Sequence, residues 1–185
     1  MRPLPHDGRP LLPSVFAGYL PTVDLDAVMA ALAPRLVAYA TGRTGCRSTA
    51  EDVAQDALTA LVVRWTRYGP PESPEAFTFA IARRRAGRAE LRRALMRPLE
   101  FMLAAQADAN GINAFEQRAE LQTVMATMGR LRSADREVLL LRAAGELSLN
   151  QIAIVTRSSV AAVKMRLHRA RSRLTELLKE SPHAR

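Results

Sequence analysis

A single cysteine, Cys46, in 185 residues excludes an intramolecular disulfide framework and any cysteine-built zinc site, and it fits a reducing compartment. On its own Cys46 reads as a small hydrophobe or surface bystander. Aromatic residues make up only 5% of the chain, which argues against strands, where aromatic and β-branched side chains concentrate. No apolar run reaches the roughly 18 residues that span a bilayer, and the N-terminus lacks the uninterrupted apolar core of an export signal. A cytoplasmic protein without membrane insertion is expected. Histidine is scarce as well: His6, His168 and His183 are scattered, and neither a glycine-rich phosphate loop nor a His-Glu zinc pattern is present. No catalytic residue, metal site or cofactor is therefore expected. Asp52 and Asp56, four apart, could share a metal ion, although lone pairs of this kind are usually just solvated.

Alanine, leucine and arginine dominate instead, and they are good helix formers. With 48% apolar content there is ample material for a core, so an all-α protein is expected. Lys and Arg number 27 against 18 acids, for a formal charge of +9 and a pI near 11.0. So basic a surface raises the local concentration of phosphates or acidic lipids, although arginine-rich usage alone would also give it. Placement is more informative than the sum. Seven arginines lie between Arg83 and Arg97 with only Glu90 against them, and six basic residues lie between Arg157 and Arg173 with no acid.

The pattern along the chain predicts two small helical domains joined by a flexible linker. Five prolines among residues 1–21 remove backbone donors and predict a loose arm over 1–23. From Asp24, apolar residues from Leu25 to Tyr39 keep helical spacing, with Pro34 marking a break or restart and Gly42 and Gly45 ending the element. In "STAEDVAQDALTALVVRW", Ser48 and Glu51 stand three apart as a capping box. Val53, Ala57, Leu61 and Trp65 then share one stripe, opposite a polar face of Asp52, Gln55, Asp56 and Thr59. Pro74 and Glu75 suit the first turn of a third helix running into the arginine block. The first domain is placed at 24–97, the linker at 98–112, the second domain at 113–180 and a short tail at 181–185. Asn113 and Glu116 read as another capping box. A helix follows Ser133 with Val138 and Leu141 inward, and Gly145 reads as its left-handed terminator.

The segment "LSLNQIAIVTRSSVAAVKMRLHRARSRL" is a device in itself. Ser148 and Gln151 form a capping box, with Leu147 and Ile152 as its hydrophobic staple. The first helix lasts about two turns before "TRSS", and a second begins at an N-cap of Ser158 or Ser159. Two short helices around a tight turn, the second apolar on one face and basic on the other, describe a helix-turn-helix, with an ordinary basic hairpin as the alternative. The major groove admits one helix whose first turns reach base edges. Ser159, Ala161 and Ala162 are small enough for close approach. Lys164, Arg166 and Arg169 are placed for phosphate or guanine contacts, and Met165 for a thymine methyl.

"REVLLLRAAGELSLNQIA" followed by "VAAVKMRLHRARSRL" resembles the promoter-reading C-terminal domain of bacterial sigma factors of the extracytoplasmic-function (ECF) group, in the sigma-70 family. "AEDVAQDALTALVVRW" resembles that group's polymerase-binding helix, and "FTFAIARRRA" the segment around its "WLxxIARN" pattern. The likeness runs from about Asp24 to Glu180. It implies that Asp52, Gln55, Asp56 and Thr59 dock on the clamp helices of the polymerase β′ subunit. It implies that the helix from Phe77, with Phe79, Arg83, Arg84, Arg85, Arg88 and Arg92, captures the promoter element near minus ten. The helix from Ser159 would read the element near minus 35, with Arg157 at its edge, and the linker would thread towards the RNA exit path. Core RNA polymerase, through β′ and β, and promoter DNA are the implied partners, and an anti-sigma factor fits the same picture. Four positions depart from the family pattern: Phe77 stands where Trp is usual, Arg84 where Asn, Arg88 where Asp, and Arg157 where Gly. The usual Leu-Pro before the last helices reads "LRSAD" here.

The sequence thus points to an alternative sigma factor without catalytic activity. The rival is a free-standing helix-turn-helix regulator of duplex DNA, which has no need of a polar-faced docking helix or a second basic domain.

Overall fold

The computed structural model describes residues 24–100, 124 and 126–180, with the backbone alone described from 96 to 100. The expected N-terminal arm, residues 101–112 of the expected linker, the capping box at Asn113 and Glu116, and the tail lie outside these residues; the first three residues of that linker, 98–100, instead continue the helix that begins at Pro74. Among the described residues the chain is helical, without strands: α1 (Leu25–Thr44), α2 (Arg47–Tyr68), α3 (Pro74–Glu100), α4 (Ser133–Ala143), α5 (Leu149–Thr156) and α6 (Val160–Lys179).

The first three helices form one bundle. Leu32, Leu36 and Tyr39 of α1 meet Val53, Ala57 and Leu61 of α2 and Phe79, Ala82 and Ala86 of α3. The alanines let the helix axes approach closely, so the two large aromatics dominate the packing. Tyr39 and Phe79 meet edge to face, with centroids 5.5 Å apart, a geometry worth about 0.5–1.5 kcal/mol beyond area burial. Asp24 caps α1, accepting from Asp26 N at 3.1 Å, and Gly45, left-handed at φ 67°, ends it.

Three local expectations are corrected. Pro34 does not break α1, which runs through it. Pro34 is exposed, and the burial of Leu32, Leu36 and Tyr39 on the opposite side outweighs one missing hydrogen bond. Gly42 likewise lies within α1 and only Gly45 terminates it. The cap of α2 is Cys46 without a side-chain cap bond, not the Ser48–Glu51 box, because Glu51 is drawn to Arg47 one turn earlier at 2.8 Å.

The second bundle is α4 to α6, with Val138 and Leu141 of α4, Ile152 of α5 and Val163 and Leu167 of α6 inside. Its helix-turn-helix follows the sequence closely. Ser148 and Gln151 make both bonds of the capping box, Leu147 and Ile152 are fully buried, and Ser159 caps α6 by accepting from Ala162 N at 3.2 Å. Gly145 is not the left-handed terminator of α4. That conformation falls on Glu146, at φ 51°. Gly145 is required for space, since a Cβ there would sit 2.6 Å from the Leu141 carbonyl oxygen and 2.9 Å from Phe79.

The two bundles are not held apart. α4 packs on α1 and α5 on α3, so one apolar core is continuous across both. A Cβ on Gly42 of α1 would overlap the Leu140 side chain of α4.

Arg157, at the C-cap of α5, is left-handed with φ 52° and ψ 48°. A side chain there costs on the order of 1 kcal/mol relative to glycine. Arg157→Gly should therefore raise stability by about 1 kcal/mol in chemical denaturation, and a variant no more stable than the parent would show that the turn is unstrained.

Candidate nucleic-acid and polymerase interface

The polar face of α2 is where the sequence places it. Asp52, Gln55, Asp56 and Thr59 are all exposed and follow one another at helical spacing. Asp56 pairs with Arg85 of α3 at 3.3 Å, both half exposed, so the pair contributes little to stability and is free to exchange partners. Beside this face, α1 and α2 leave an apolar groove of about 420 Å³, lined by Met29, Ala33 and Val37 of α1 and by Ala54, Leu58 and Val62 of α2.

The arginines of α3 divide. Arg84, Arg85, Arg88 and Arg92 are exposed, and Arg84, Arg88 and Arg92 repeat every four residues as one stripe over about 12 Å of helix. None of those three has an ion-pair partner among the described residues. Arg83 is different: it is half-buried and donates to Glu137 of α4 at 3.0 Å. Phe77 is half-buried against the core. Phe79 is fully buried under Tyr39, so it is a core residue rather than a platform for a base.

On α6 the small tip holds: Ser159 and Ala161 are exposed and Ala162 half-buried. Lys164 and Met165 are exposed, the latter by 71%. Arg166 donates to Ser158 Oγ at 2.9 Å across the turn. Arg169 is held by the buried Asp135 of α4 through two bonds, at 2.9 and 2.6 Å. That hydrogen bonding, and then the Asp135 charge, raise the Arg169 pKa. Arg157 is exposed at the edge of this surface.

Sequence reasoning missed the group that ties the bundles together. Glu137 is 6% exposed and accepts from Tyr39 Oη at 2.9 Å, from Arg83 Nε and from Arg43 Nη1. Arg43 also donates twice to Glu90 of α3, at 2.8 and 2.7 Å. Burial works against the Arg43 charge, but the hydrogen bond to Glu90 and the surrounding negative charges hold its pKa above the ordinary value. Burial, and then the Glu137 charge, raise that of Tyr39. Further across the interface, Arg35 donates to the Gly145 carbonyl and lies 5.9 Å from the Phe79 ring centroid. Gln151 reaches Ser73 and Glu75 at 3.2 and 3.3 Å. The one available signal was Glu137 itself, a carboxylate four residues from Leu141 on the buried side of α4.

Two family models match this chain: Sigma-70 region 2 over residues 28–94 and Sigma-70, region 4 over residues 121–174. The ECF RNA polymerase sigma factor ShbA of Streptomyces griseus is 34% identical over 146 residues, covering 72% of this chain and 74% of that protein. Two solved structures share the fold. CnrH in complex with the cytosolic domain of CnrY matches with a TM-score of 0.65 at 23% identity, over 85% of this chain and 88% of that one. The sigma factor RpoE in complex with the anti-sigma factor NepR, from Bartonella quintana, matches at 0.62 and 22%, over 84% and 97%.

Cys46, at the start of the polar-faced helix, provides a local probe. Its hydrogen bond with Ser48, then those with Thr49, lower its pKa to about 7. Its alkylation by iodoacetamide should therefore reach half its maximal rate near pH 7. A midpoint at the usual free-thiol value of about 8.5 would mean that Ser48 and Thr49 do not stabilise the thiolate.

Proposed function

The chain belongs to the ECF sigma factors of the sigma-70 family, and we propose how its surfaces divide the work of that family. As a member it is an alternative sigma factor, which binds core RNA polymerase and directs promoter-specific transcription initiation. Sigma factors are non-enzymatic initiation factors, and no helix among the described residues is long and apolar enough to cross a membrane. We place its action in the cytoplasm, beside the polymerase.

We assign residues 24–97 to polymerase docking and the minus-ten element, and 113–180 to the minus-35 element. The observation that carries the division is that one chain joins a polar-faced α2, backed by a basic α3, to a capped helix-turn-helix. In this reading Asp52, Gln55, Asp56 and Thr59 dock on the β′ clamp helices, and the apolar groove beside them takes side chains from the same surface. The Arg84, Arg88 and Arg92 stripe tracks the strand near minus ten, with Arg85 joining it when Asp56 is engaged. At the start of α6, the cap Ser159 and residues Ala161, Ala162 and Met165 approach base edges, while Lys164 and Arg166 of α6 and Arg157 at the end of α5 meet phosphates. Arg169 acts through Asp135, fixing α6 against α4. No base platform is assigned to Phe79. The likeness to structures whose partners are CnrY and the anti-sigma factor NepR supports an inhibitory partner for this chain too.

Purified core polymerase mixed with this chain should give a stable complex and promoter-dependent transcripts. Tight duplex binding without polymerase association would instead favour the free-standing regulator. Asp56→Lys should weaken polymerase association about tenfold or more while circular dichroism stays unchanged, and normal association would remove α2 from the docking surface. Arg166→Ala should weaken promoter binding and lower its log-log salt slope by about one unit, because one fewer phosphate is neutralised. An unchanged slope would take Arg166 off the DNA.

A further inference from the structure

The Glu137 carboxylate does more than join two bundles. Tyr39 Oη, Arg43 Nη1 and Arg83 Nε converge on it from α1 and α3, so those helices present a three-donor anion cradle that a residue of the other bundle fills. Charge-assisted donors in this arrangement suit a phosphate as well as a carboxylate. With Glu137 in place the cluster is neutral, since Arg43 and Arg83 face Glu90 and Glu137. Without it, the cluster carries one net positive charge and the Tyr39 hydroxyl loses its acceptor.

The packed arrangement cannot read both promoter elements at once. Elements near minus ten and minus 35 are separated by about 25 base pairs, hence about 85 Å of duplex at 3.4 Å per pair. A compact body of this size is only about 40 Å across. Reading both elements therefore parts α4 from α1 and α5 from α3, which withdraws Glu137. Arg83 lies on the same helix as the exposed Arg84, Arg88 and Arg92, so the nearest replacement anion is the DNA backbone.

We propose that Glu137 is an internal stand-in for a DNA phosphate, filling a cradle of Tyr39, Arg43 and Arg83 that a promoter strand takes over when the bundles part. The site rests on the assignment of the two halves to the two promoter elements. It adds Tyr39 and Arg43, on α1, to the DNA-binding surface and makes closure and strand capture mutually exclusive.

The test uses the full chain, small-angle X-ray scattering for closure, and fluorescence anisotropy with a labelled mixed-sequence 25-nucleotide single strand. Glu137→Gln keeps the shape and removes the charge. It should increase the radius of gyration and tighten strand binding about fivefold. Gly42→Leu parts the bundles from the apolar side, against Leu140, without touching the cradle, and should do the same. If Glu137→Gln does not fold, Gly42→Leu decides alone. In the Gly42→Leu background, Tyr39→Phe should take back at least half of the gain, and Arg83→Gln should lower the log-log salt slope by about 0.7, the value of one single-strand phosphate contact. The proposal is overturned if both opening variants stay as compact and bind as weakly as the parent. It is equally overturned if opened variants bind the strand with an affinity and slope indifferent to Tyr39→Phe and Arg83→Gln. Polymerase association of the parent, measured in parallel, separates the two levels: a chain that binds polymerase but ignores these substitutions keeps its function and loses the cradle.

Discussion

A buried carboxylate, Glu137, sets how the two halves of this molecule meet. Removing an ionised group from water costs several kcal/mol, and only full pairing offsets that cost. Here Tyr39, Arg43 and Arg83 supply the pairing, and Glu90 in turn compensates Arg43. Losing one partner from such a buried arrangement costs about 3–5 kcal/mol, so partial opening is unfavourable and the interface behaves as closed or open. The apolar contacts around it follow the same geometry. Gly42 leaves room for Leu140, Gly145 leaves room for Phe79, and Arg35 bridges the Gly145 carbonyl and the Phe79 ring. A larger side chain at either glycine would hold the carboxylate away from its donors.

What the sequence made legible is what short-range chemistry specifies. The helix-turn-helix was readable because every device that builds it, the Ser148–Gln151 box, the Leu147–Ile152 staple and the Ser159 cap, lies within a few residues of its partner. Arg157 was flagged only by the resemblance, in which Gly is usual at that position, and its left-handed conformation came from the structure. The interface was not, because Tyr39 and Glu137 are 98 positions apart and no local pattern links them. The misread cap of α2 shows competition within short range: Glu51 could bond backward to Ser48 or to the Arg47 guanidinium, and the charged partner won. Phe79 shows the limit of motif transfer. Its place beside the arginine block suggested a surface role, while its spacing from Ala82 and Ala86 puts it on the buried stripe of α3.

The scarce acids, rather than the abundant arginines, decide what this basic chain can bind. With 18 acids against 27 basic residues, every pairing of an arginine with a carboxylate removes a cation from the surface offered to a polyanion. Among the described residues, the pairings between helices are Asp56 with Arg85, Glu90 with Arg43, Asp135 with Arg169 and Glu137 with Arg43 and Arg83. Each crosses from one helix to another, so the same carboxylates that hold the helices in register also choose which arginines stay free. Within the two arginine-rich blocks, several of those left over share a face. Arg84, Arg88 and Arg92 line one face of α3, and Lys164 and Arg171 lie on the exposed side of α6. Two blocks that look uniform in the sequence are thereby sorted into structural ties and a pair of unneutralised stripes. Because Glu137 reaches Arg83 from the opposite bundle, withdrawing it changes the sorting, transferring Arg83 from the ties to the stripe beside it.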